Sequence, residues 1–148
     1  MLKAKQHLVM AILAVVTLLA GACAESAPAP APTEGLEDTR WILESYGEPE
    51  NLKAMLEGTE ITAVFDRAEG RVHGSAGCNT YSGDYQISDS KLSIPLIVST
   101  EMGCLEPEGV MEQELQYLKA LQAAESYEIR DGKLEINCGA QILVFNAK

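Results

Sequence analysis

The feature that most restricts the fold of this chain is a succession of short runs with a two-residue apolar period, each ended by glycine or polar residues. In residues 59–66 (TEITAVFD), for example, Ile61, Ala63 and Phe65 fall on one face of a strand. Comparable runs recur from residue 39 to residue 145. The pattern predicts a mostly antiparallel domain of about eight strands that forms an open barrel.

Two segments, 85–94 and 127–136, share one arrangement of strand, polar turn and strand. In the second, Asp131-Gly132 is typical of a two-residue hairpin, because glycine tolerates the positive φ of a type I′ turn. In the first, Ser90 replaces the glycine, so we expect a different turn. We interpret the similarity as two hairpins that came to use the same residue types independently, more than as a duplication of one segment.

One stretch departs from the strand pattern and indicates a single main helix near residues 109–124. Apolar residues recur there at three- and four-residue spacing. They are Met111, Leu115, Leu118, Leu121 and Ala124. Pro107 falls near the start of this stretch, where its missing N–H does little harm. The expected fold class is therefore α+β.

The N-terminal residues carry the features of a leader. Residues 8–20 (LVMAILAVVTLLA) include one non-apolar residue, Thr17, and they follow Lys3 and Lys5. This run is too short to span a bilayer as a helix, which needs ~20 residues. A positive start, a short apolar run and small residues are typical of a secretory signal peptide. We therefore expect residues 1–22 to be removed as the protein is exported to the cell envelope.

Residues 19–23 (LAGAC) resemble the lipobox at which a cysteine is diacylated and becomes the new N-terminus. Ala20 stands where that pattern prefers leucine, and ordinary cleavage between small residues also fits. The Pro/Ala-rich segment 23–38 favours lipidation of Cys23, because such a segment is an extended tether. Two acyl chains anchor a protein stably. Ala24 after the cysteine indicates the periplasmic side of the outer membrane, if the host has one.

The acidic composition excludes one class of partner. The chain of 148 residues has a net charge of −11, and without the leader 9 basic and 22 acidic residues leave −13. Such a surface repels a phosphate backbone, so we expect no nucleic-acid partner. The charge also keeps a protein soluble, and we expect a monomer. One domain, residues 39–148, follows the tether.

The cysteines predict one disulfide. If Cys23 is acylated, Cys78, Cys104 and Cys138 remain. An exported protein keeps disulfides, and one pair with one spare thiol is the natural count. We predict the pair Cys78–Cys104, since both lie in glycine-containing turns while Cys138 ends a predicted strand. Cys138 is then a buried free thiol, and the absence of a CxxC motif from the sequence argues against redox catalysis.

Few residues could carry catalysis or bind a metal. His73 is the only histidine after the leader, and a typical zinc site needs more nitrogen or thiolate ligands. The acidic residues lack the spacing of a calcium loop. Ser75 lacks the GxSxG context of an esterase nucleophile. We therefore predict no cofactor, no metal and no enzymatic activity, with a hydrolase based on His73 as the least favoured alternative. The aromatic residues are interpreted as core rather than as a pocket lining.

Several motifs resemble the META domain family of HslJ-like envelope proteins. They are Trp41-Ile-Leu, ITAVFD at 61–66, GSAGCNTYSGDY at 74–85, STEMGC at 99–104, EQExxYLxAL at 112–121 and ILVF at 142–145. Glu101 stands where the family often has an apolar residue. The resemblance implies a compact domain similar to the cracked β-barrels of secretion pilot lipoproteins. It implies no established active site.

The resemblance gives the family's signature positions a structural role. These positions are Gly74, Gly77, Cys78, Asn79, Tyr81, Gly83 and Tyr85. We expect Asn79 to bond a bend through its side chain.

Two functional hypotheses follow. The first is a lipid-anchored binding or chaperone-like module in envelope stress, integrity or secretion, which holds an apolar ligand or an envelope protein. An apolar cavity with few polar groups would favour it. The second is a structural or inhibitory partner-binding protein. A filled core with an apolar surface patch would favour that role.

Overall fold

The computed structural model describes residues 35–148. The predicted signal peptide (1–22), Cys23 and most of the predicted tether lie outside the described residues. The elements are β1 Arg40–Glu48, β2 Asn51–Ala54, β3 Thr62–Asp66, β4 Arg71–Ser75, β5 Thr80–Asp84, β6 Gln86–Ser88, β7 Lys91–Ser93, β8 Ile97–Ser99, α1 Val110–Gln122, β9 Ser126–Arg130, β10 Lys133–Cys138 and β11 Gln141–Ala147.

The described residues form eleven strands, so the expected number, about eight, was wrong. Short strands account for the difference. Strand β2 has four residues, all exposed. Strand β8 has three residues. Runs this short contain too few alternations to show a two-residue period.

All eleven strands belong to one curled sheet. Its order is β6-β7-β9-β10-β11-β1-β3-β4-β5-β8, and β2 pairs with β1. The ladder from Trp41↔Ala147 to Gly47↔Ile142 joins the first long strand to the last. Strands β6 and β8 end this main path, and within residues 35–148 no pairing closes the gap between them. The sheet is therefore an antiparallel half-barrel with one helix, and the predicted mostly antiparallel α+β class is confirmed.

Aromatic side chains fill the core of the half-barrel. Trp41, Phe65, Tyr117 and Phe145 are completely buried. The ring of Tyr117 packs edge-on against those of Tyr81 and Phe145. The indole Nε1 of Trp41 donates a hydrogen bond to the carbonyl of Leu36 over 2.9 Å, which satisfies its polar atom. These rings are core residues, as the sequence indicated, and not the lining of a cavity.

The packed domain extends back into the segment predicted to be a tether. Leu36 is buried in the core. The backbone N–H of Asp38 donates to the carbonyl of Phe65 over 2.9 Å, and Glu37 forms a parallel bridge with Phe65. The last three residues of the segment 23–38 therefore pack on the domain.

Helix α1 confirms the predicted helix near 109–124, but its buried face differs from the apolar stripe. Leu121 is fully buried, whereas Met111 and Leu115 are exposed. The other buried residues of the helix are Val110, Gln113, Glu114, Tyr117 and Ala120. Two of them, Gln113 and Glu114, are polar. The buried face differs from the apolar stripe because loops of the domain form hydrogen bonds with the side chains of Gln113 and Glu114. The spacing of apolar residues does not reveal such bonds.

The predicted hairpin at Asp131-Gly132 is confirmed. Arg130 pairs with Lys133 across the two-residue turn, and both turn residues have positive φ, 52° and 74°. The first hairpin also has a two-residue turn, in which Asp89 has φ 55°. Among the helices of residues 35–148, none is long and apolar enough to cross a membrane.

Candidate functional site

The signature residue Asn79 holds together three parts of the domain. It lies in the turn between β4 and β5 and is almost fully buried. Its Oδ1 accepts hydrogen bonds from the Thr100 hydroxyl and the Met102 N–H, both at 2.7 Å. Its Nδ2 donates to Glu114 Oε1 at 2.7 Å and to the Met102 carbonyl at 3.1 Å. One amide therefore joins the turn, the loop after β8 and the helix.

The buried carboxylate of Glu114 completes this connection from the side of the helix. Its Oε2 accepts the backbone N–H groups of Asn79 at 2.7 Å and Cys78 at 3.2 Å. Three N–H groups thus solvate a charge that lies away from water, and no ion pair in the described residues neutralises it. This geometry stabilises a turn and presents no free carboxylate to a substrate.

Gln113 ties the same end of α1 to the loop before β3. Its Oε1 accepts from the N–H of Leu56 at 2.8 Å, and its Nε2 donates to the hydroxyl of Thr59 at 3.0 Å. We call Asn79, Gln113 and Glu114 the polar anchor. Through it the first turn of the helix fixes three loops, including the segment that follows edge strand β8.

A disulfide reinforces the polar anchor. The structure joins Cys78 to Cys104, the predicted pair, with their Cα atoms 5.9 Å apart. The bond links the β4–β5 turn to the loop after β8 once more. Cys138 is a buried free thiol. Burial raises its pKa from 9.0 to about 12, so the thiol stays protonated at neutral pH and is a poor nucleophile.

Two signature glycines occur where strands approach too closely for a side chain. A Cβ at Gly74 would clash with the carbonyl of Thr62, and one at Gly83 with the carbonyl of Leu96. The close approach of Thr62 lets its carbonyl accept the buried Tyr81 hydroxyl at 3.0 Å. The hydroxyls of Tyr81 and Tyr117 lie 2.6 Å apart. Burial raises the pKa of both phenols, so they act as neutral structural groups.

The other signature positions are also structural. Gly77 has a φ of 113°, which a residue with a side chain rarely adopts. The hydroxyl of Tyr85 donates to Glu37 Oε1 at 2.6 Å. That bond holds the segment preceding β1 against the sheet.

His73 lies on the outer face of the sheet, opposite the core. It lines a shallow groove of about 700 Å³ together with Arg40, Ser75 and Thr80. Its cross-strand neighbours are Val64 and Ser82.

The surroundings of His73 lack the contacts of a catalytic device. Arg40 pairs with Glu60 at 2.8 Å, and the Ser75 hydroxyl accepts the N–H of Gly77 at 3.2 Å. The backbone of His73 belongs to the ladders with β3 and β5. No side-chain hydrogen bond joins its imidazole to another residue of the described part. No three His, Cys, Asp or Glu residues of that part lie together where they could hold a metal. The geometry does not link the imidazole to a nucleophile.

The most distinctive surface is apolar and surrounds edge strand β8. The described residues expose seven large apolar side chains, and six of them fall between residues 96 and 115. We call these six the edge patch: Leu96 (63% exposed), Val98 (54%), Met102 (60%), Leu105 (89%), Met111 (39%) and Leu115 (62%). Single exposed apolar residues are ordinary, but a concentration beside a sheet edge is typical of an interaction site.

A groove between β8 and α1 borders the edge patch at Leu115. It measures about 410 Å³. Its lining comprises Ile97, Ser99, Leu115, Leu118, Lys119, Gln122 and Ala123. The polar anchor and the disulfide position the residues that follow β8, so the loop bearing Met102 is held firmly. The chain thus presents apolar side chains next to β8, which pairs with β5 on one side only within residues 35–148.

The model of the META domain matches residues 34–148 of this sequence. The chain belongs to the META domain family. The match includes the polar anchor, the disulfide and the edge patch.

Solved structures show the same fold. An NMR structure of a protein from Burkholderia xenovorans is 27% identical, with a TM-score of 0.64 over 82% of this chain and 93% of that one. A second NMR structure is 20% identical, with a TM-score of 0.57 over 75% and 90%. A DUF4847 family protein from Bacteroides vulgatus is 15% identical, with a TM-score of 0.53 over 75% and 93%. No curated protein matches the sequence.

Sequence reasoning identified some of the site residues in this META domain and missed others. The expectation for Asn79 agrees with its bonds to Thr100 and Met102. The polar anchor partner Glu114 was missed, because a glutamate on a helix is normally solvated. The edge patch was also missed, since strand β8 is too short to recognise. The repeated apolar residues in the segment 96–115 were the available signal.

Proposed function

We propose that this META-domain protein is a non-catalytic binding module of the cell envelope, which holds a protein partner on its edge patch. The observation that carries the proposal is the concentration of exposed apolar side chains around β8. Leu105 and Leu115 expose most of their surface to water although their transfer to an apolar contact is favourable. A surface of this kind is favoured where a partner covers it.

A protein partner fits this META domain better than a small apolar ligand. Ligand sites are concave cavities that bury most of the ligand. Here the interior is filled by side chains such as Trp41, Tyr117 and Phe145. The grooves around His73 and beside β8 are both open to solvent. A filled core with an apolar surface patch favours the structural, inhibitory or chaperone-like partner-binding role over a lipid carrier.

The envelope location rests on the sequence and on the disulfide. Residues 1–22 have the composition of a signal peptide, and Cys23 precedes a Pro/Ala-rich segment. The Cys78–Cys104 bond is of the kind that persists in an oxidising compartment. We propose that acylated Cys23 holds the domain at the membrane, within reach of envelope proteins. The role in envelope stress, integrity or secretion is proposed from family resemblance alone.

Photo-crosslinking in the native host tests the binding role. A photoreactive amino acid is placed at Leu105 or Leu115 in the edge patch, and at Leu52, the seventh exposed apolar residue, as the control. We expect one protein species to crosslink at both patch positions and not at Leu52. Equal crosslinking at all three positions, or at Leu52 alone, would contradict the proposal.

The mass of the protein purified from host membranes, with and without reductant, tests the anchor separately. We expect a chain that starts at Cys23 with a diacylglyceryl group and that gains two hydrogens on reduction. An unmodified chain starting near Cys23 would show that the domain is a soluble exported protein.

A further inference from the structure

Strand β8 leaves backbone hydrogen-bonding groups free along one edge of the sheet. The N–H of Thr100 donates to the carbonyl of Thr80 at 3.0 Å, in the register that pairs Ser99 with Tyr81. Since bonded and non-bonded pairs alternate in an antiparallel ladder, the N–H and C=O of Ile97 and Ser99 point away from β5. No hydrogen bond to these groups comes from elsewhere in the described residues. They form a template for one more strand.

Apolar side chains flank this template on both faces of the sheet. Ile97 lines the groove towards α1 together with Leu115 and Leu118. Leu96 and Val98 alternate with Ile97 and are exposed. Val98 lies on the outer face, where it borders the groove around His73. Because the side chains of an added strand alternate between the faces, every second residue would contact the α1 groove and the others the Val98 side.

The charge around the edge patch specifies the partner further. The residues from 92 to 118 include no lysine or arginine. Their exposed acidic residues are Glu101, Glu106, Glu108 and Glu112. Lys119 is the one basic residue in the lining of the groove beside β8, so these four carboxylates outnumber it. None of these four carboxylates forms an ion pair within residues 35–148. The described residues together carry 9 basic and 20 acidic side chains, a net charge of −11. A cationic segment is attracted by this surface.

The same charge disfavours two other occupants of the edge. A second copy of the domain would bring an equal negative charge to the surface. The chain's own segment 24–34 (AESAPAPAPTE) is acidic and has proline at every second position from 28 to 32. Proline has no N–H to donate to a ladder, so this segment is a poor strand partner.

We propose that β8 binds an extended, cationic segment of an envelope protein as an added strand, with apolar residues at its centre. This inference rests on the proposed function, because it names how the partner occupies the edge patch. Main-chain hydrogen bonds at Ile97 and Ser99 provide the pairing, and the groove beside Leu115 selects the side chains. The four carboxylates attract the flanking cations.

A synthetic peptide serves as the probe: three valines between two pairs of lysines, acetylated and amidated. The control peptide carries N-methyl groups on all three valines, which remove its central donors and keep its charge and apolar character. Binding to the full chain is followed by backbone amide NMR and by titration. We expect the amides of Ile97 and Ser99 to gain protection from exchange, and the N-methylated peptide to bind at least tenfold more weakly.

Two substitutions at one position isolate the backbone contribution. Ser99→Pro removes an N–H that faces the edge, a place where proline is tolerated. Ser99→Ala keeps the N–H and removes the hydroxyl. We expect Ser99→Pro to weaken peptide binding at least tenfold and Ser99→Ala to change it less than twofold. The N-methylated peptide tests the same bond without altering the protein.

The outcomes separate this inference from the proposed function. If the N-methylated peptide and Ser99→Pro leave binding unchanged while Leu115→Lys abolishes it, strand addition is wrong but the edge patch still binds. If Leu115→Lys also leaves binding unchanged and no amide near β8 responds, strand addition is overturned. In that case crosslinking at Leu105 and Leu115 in the host shows whether the edge patch still binds a partner, as the proposed function requires.

Discussion

At the scale of single residues, Asn79 shows how a signature position acts through hydrogen bonds. We expect Asn79→Ala to lower the free energy of unfolding by about 3 kcal/mol, because it leaves the N–H of Met102 and part of Glu114 without partners. Urea denaturation with the disulfide intact measures the change. The control Asn51→Ala alters an exposed side chain of β2 and should change stability by less than ~0.5 kcal/mol. Equal effects of the two substitutions would show that the polar anchor contributes no stability.

The thiol of Cys138 gives the protein a pH dependence in the alkaline range. Burial, with Glu125 nearby, raises its pKa from 9.0 to about 12. Above about pH 9 the unfolded chain loses the thiol proton while the folded protein keeps it, so stability is full below about pH 9 and falls towards about pH 12. Between about pH 8 and about pH 10 we expect this thiol to account for a loss of ~1 kcal/mol in the free energy of unfolding.

Cys138→Ala is the matched comparison for this loss. Over the same pH interval it should lose about 1 kcal/mol less than the native protein. Its remaining loss comes from the phenols of Tyr81, Tyr85 and Tyr117, which begin to lose protons in the unfolded chain as the pH nears their ordinary pKa of 10.0. Denaturation curves at several pH values measure both proteins. If the free energy of unfolding falls equally steeply with pH in the two proteins, groups other than Cys138 cause the alkaline loss.

At the scale of elements, the orientation of α1 separates two leucines that the sequence pattern treats alike. Leu121 is fully buried, whereas Leu115 is mostly exposed. We expect Leu121→Ala to lower the free energy of unfolding by about 3 kcal/mol, since it leaves a cavity in the core. Leu115→Lys should change it by less than ~0.5 kcal/mol. A large destabilisation by Leu115→Lys in chemical denaturation would contradict the observed helix face.

Elements were predictable where local chemistry and tertiary packing agree. Asp131-Gly132 adopts the positive φ values of its turn because a glycine-containing dipeptide tolerates them without tertiary help. The helix was found from its period, but its buried face includes polar residues that the apolar period does not select. Gln113 and Glu114 are buried because distant loops supply their hydrogen bonds, and such pairing is not encoded in local spacing. Strand β8 forms only because β5 offers a neighbour.

At the scale of the whole molecule, the sequence showed the fold class and the disulfide but not the interaction surface. Cys78 and Cys104 were recognisable because few cysteines compete for pairing. The edge patch depends on which residues remain uncovered after folding. Val98 is exposed because it lies on the outer face of β8, and the position of β8 at an edge is a property of strand order that no single segment reveals. Predicting the site therefore required the topology.

Net charge should control whether two molecules associate through their exposed sheet edges. At neutral pH the chain of 148 residues carries −11, and this charge repels a second copy from the edge patch. Near the isoelectric point of about 4.5 this repulsion disappears. We expect sedimentation velocity to show a monomer at neutral pH and reversible association near pH 4.5. Loss of repulsion exposes the intrinsic tendency of a free apolar edge to pair.

A double substitution tests whether this association uses the edge patch. Val98→Lys with Leu115→Lys places two charges on the patch, while Leu52→Lys with Gln141→Lys adds the same charge at exposed sites outside it. We expect the first pair to prevent association at its own isoelectric point and the second to leave it intact. If both variants associate equally, the contact lies elsewhere. Because the two variants share one net charge, only the position of the added lysines can account for a difference between them.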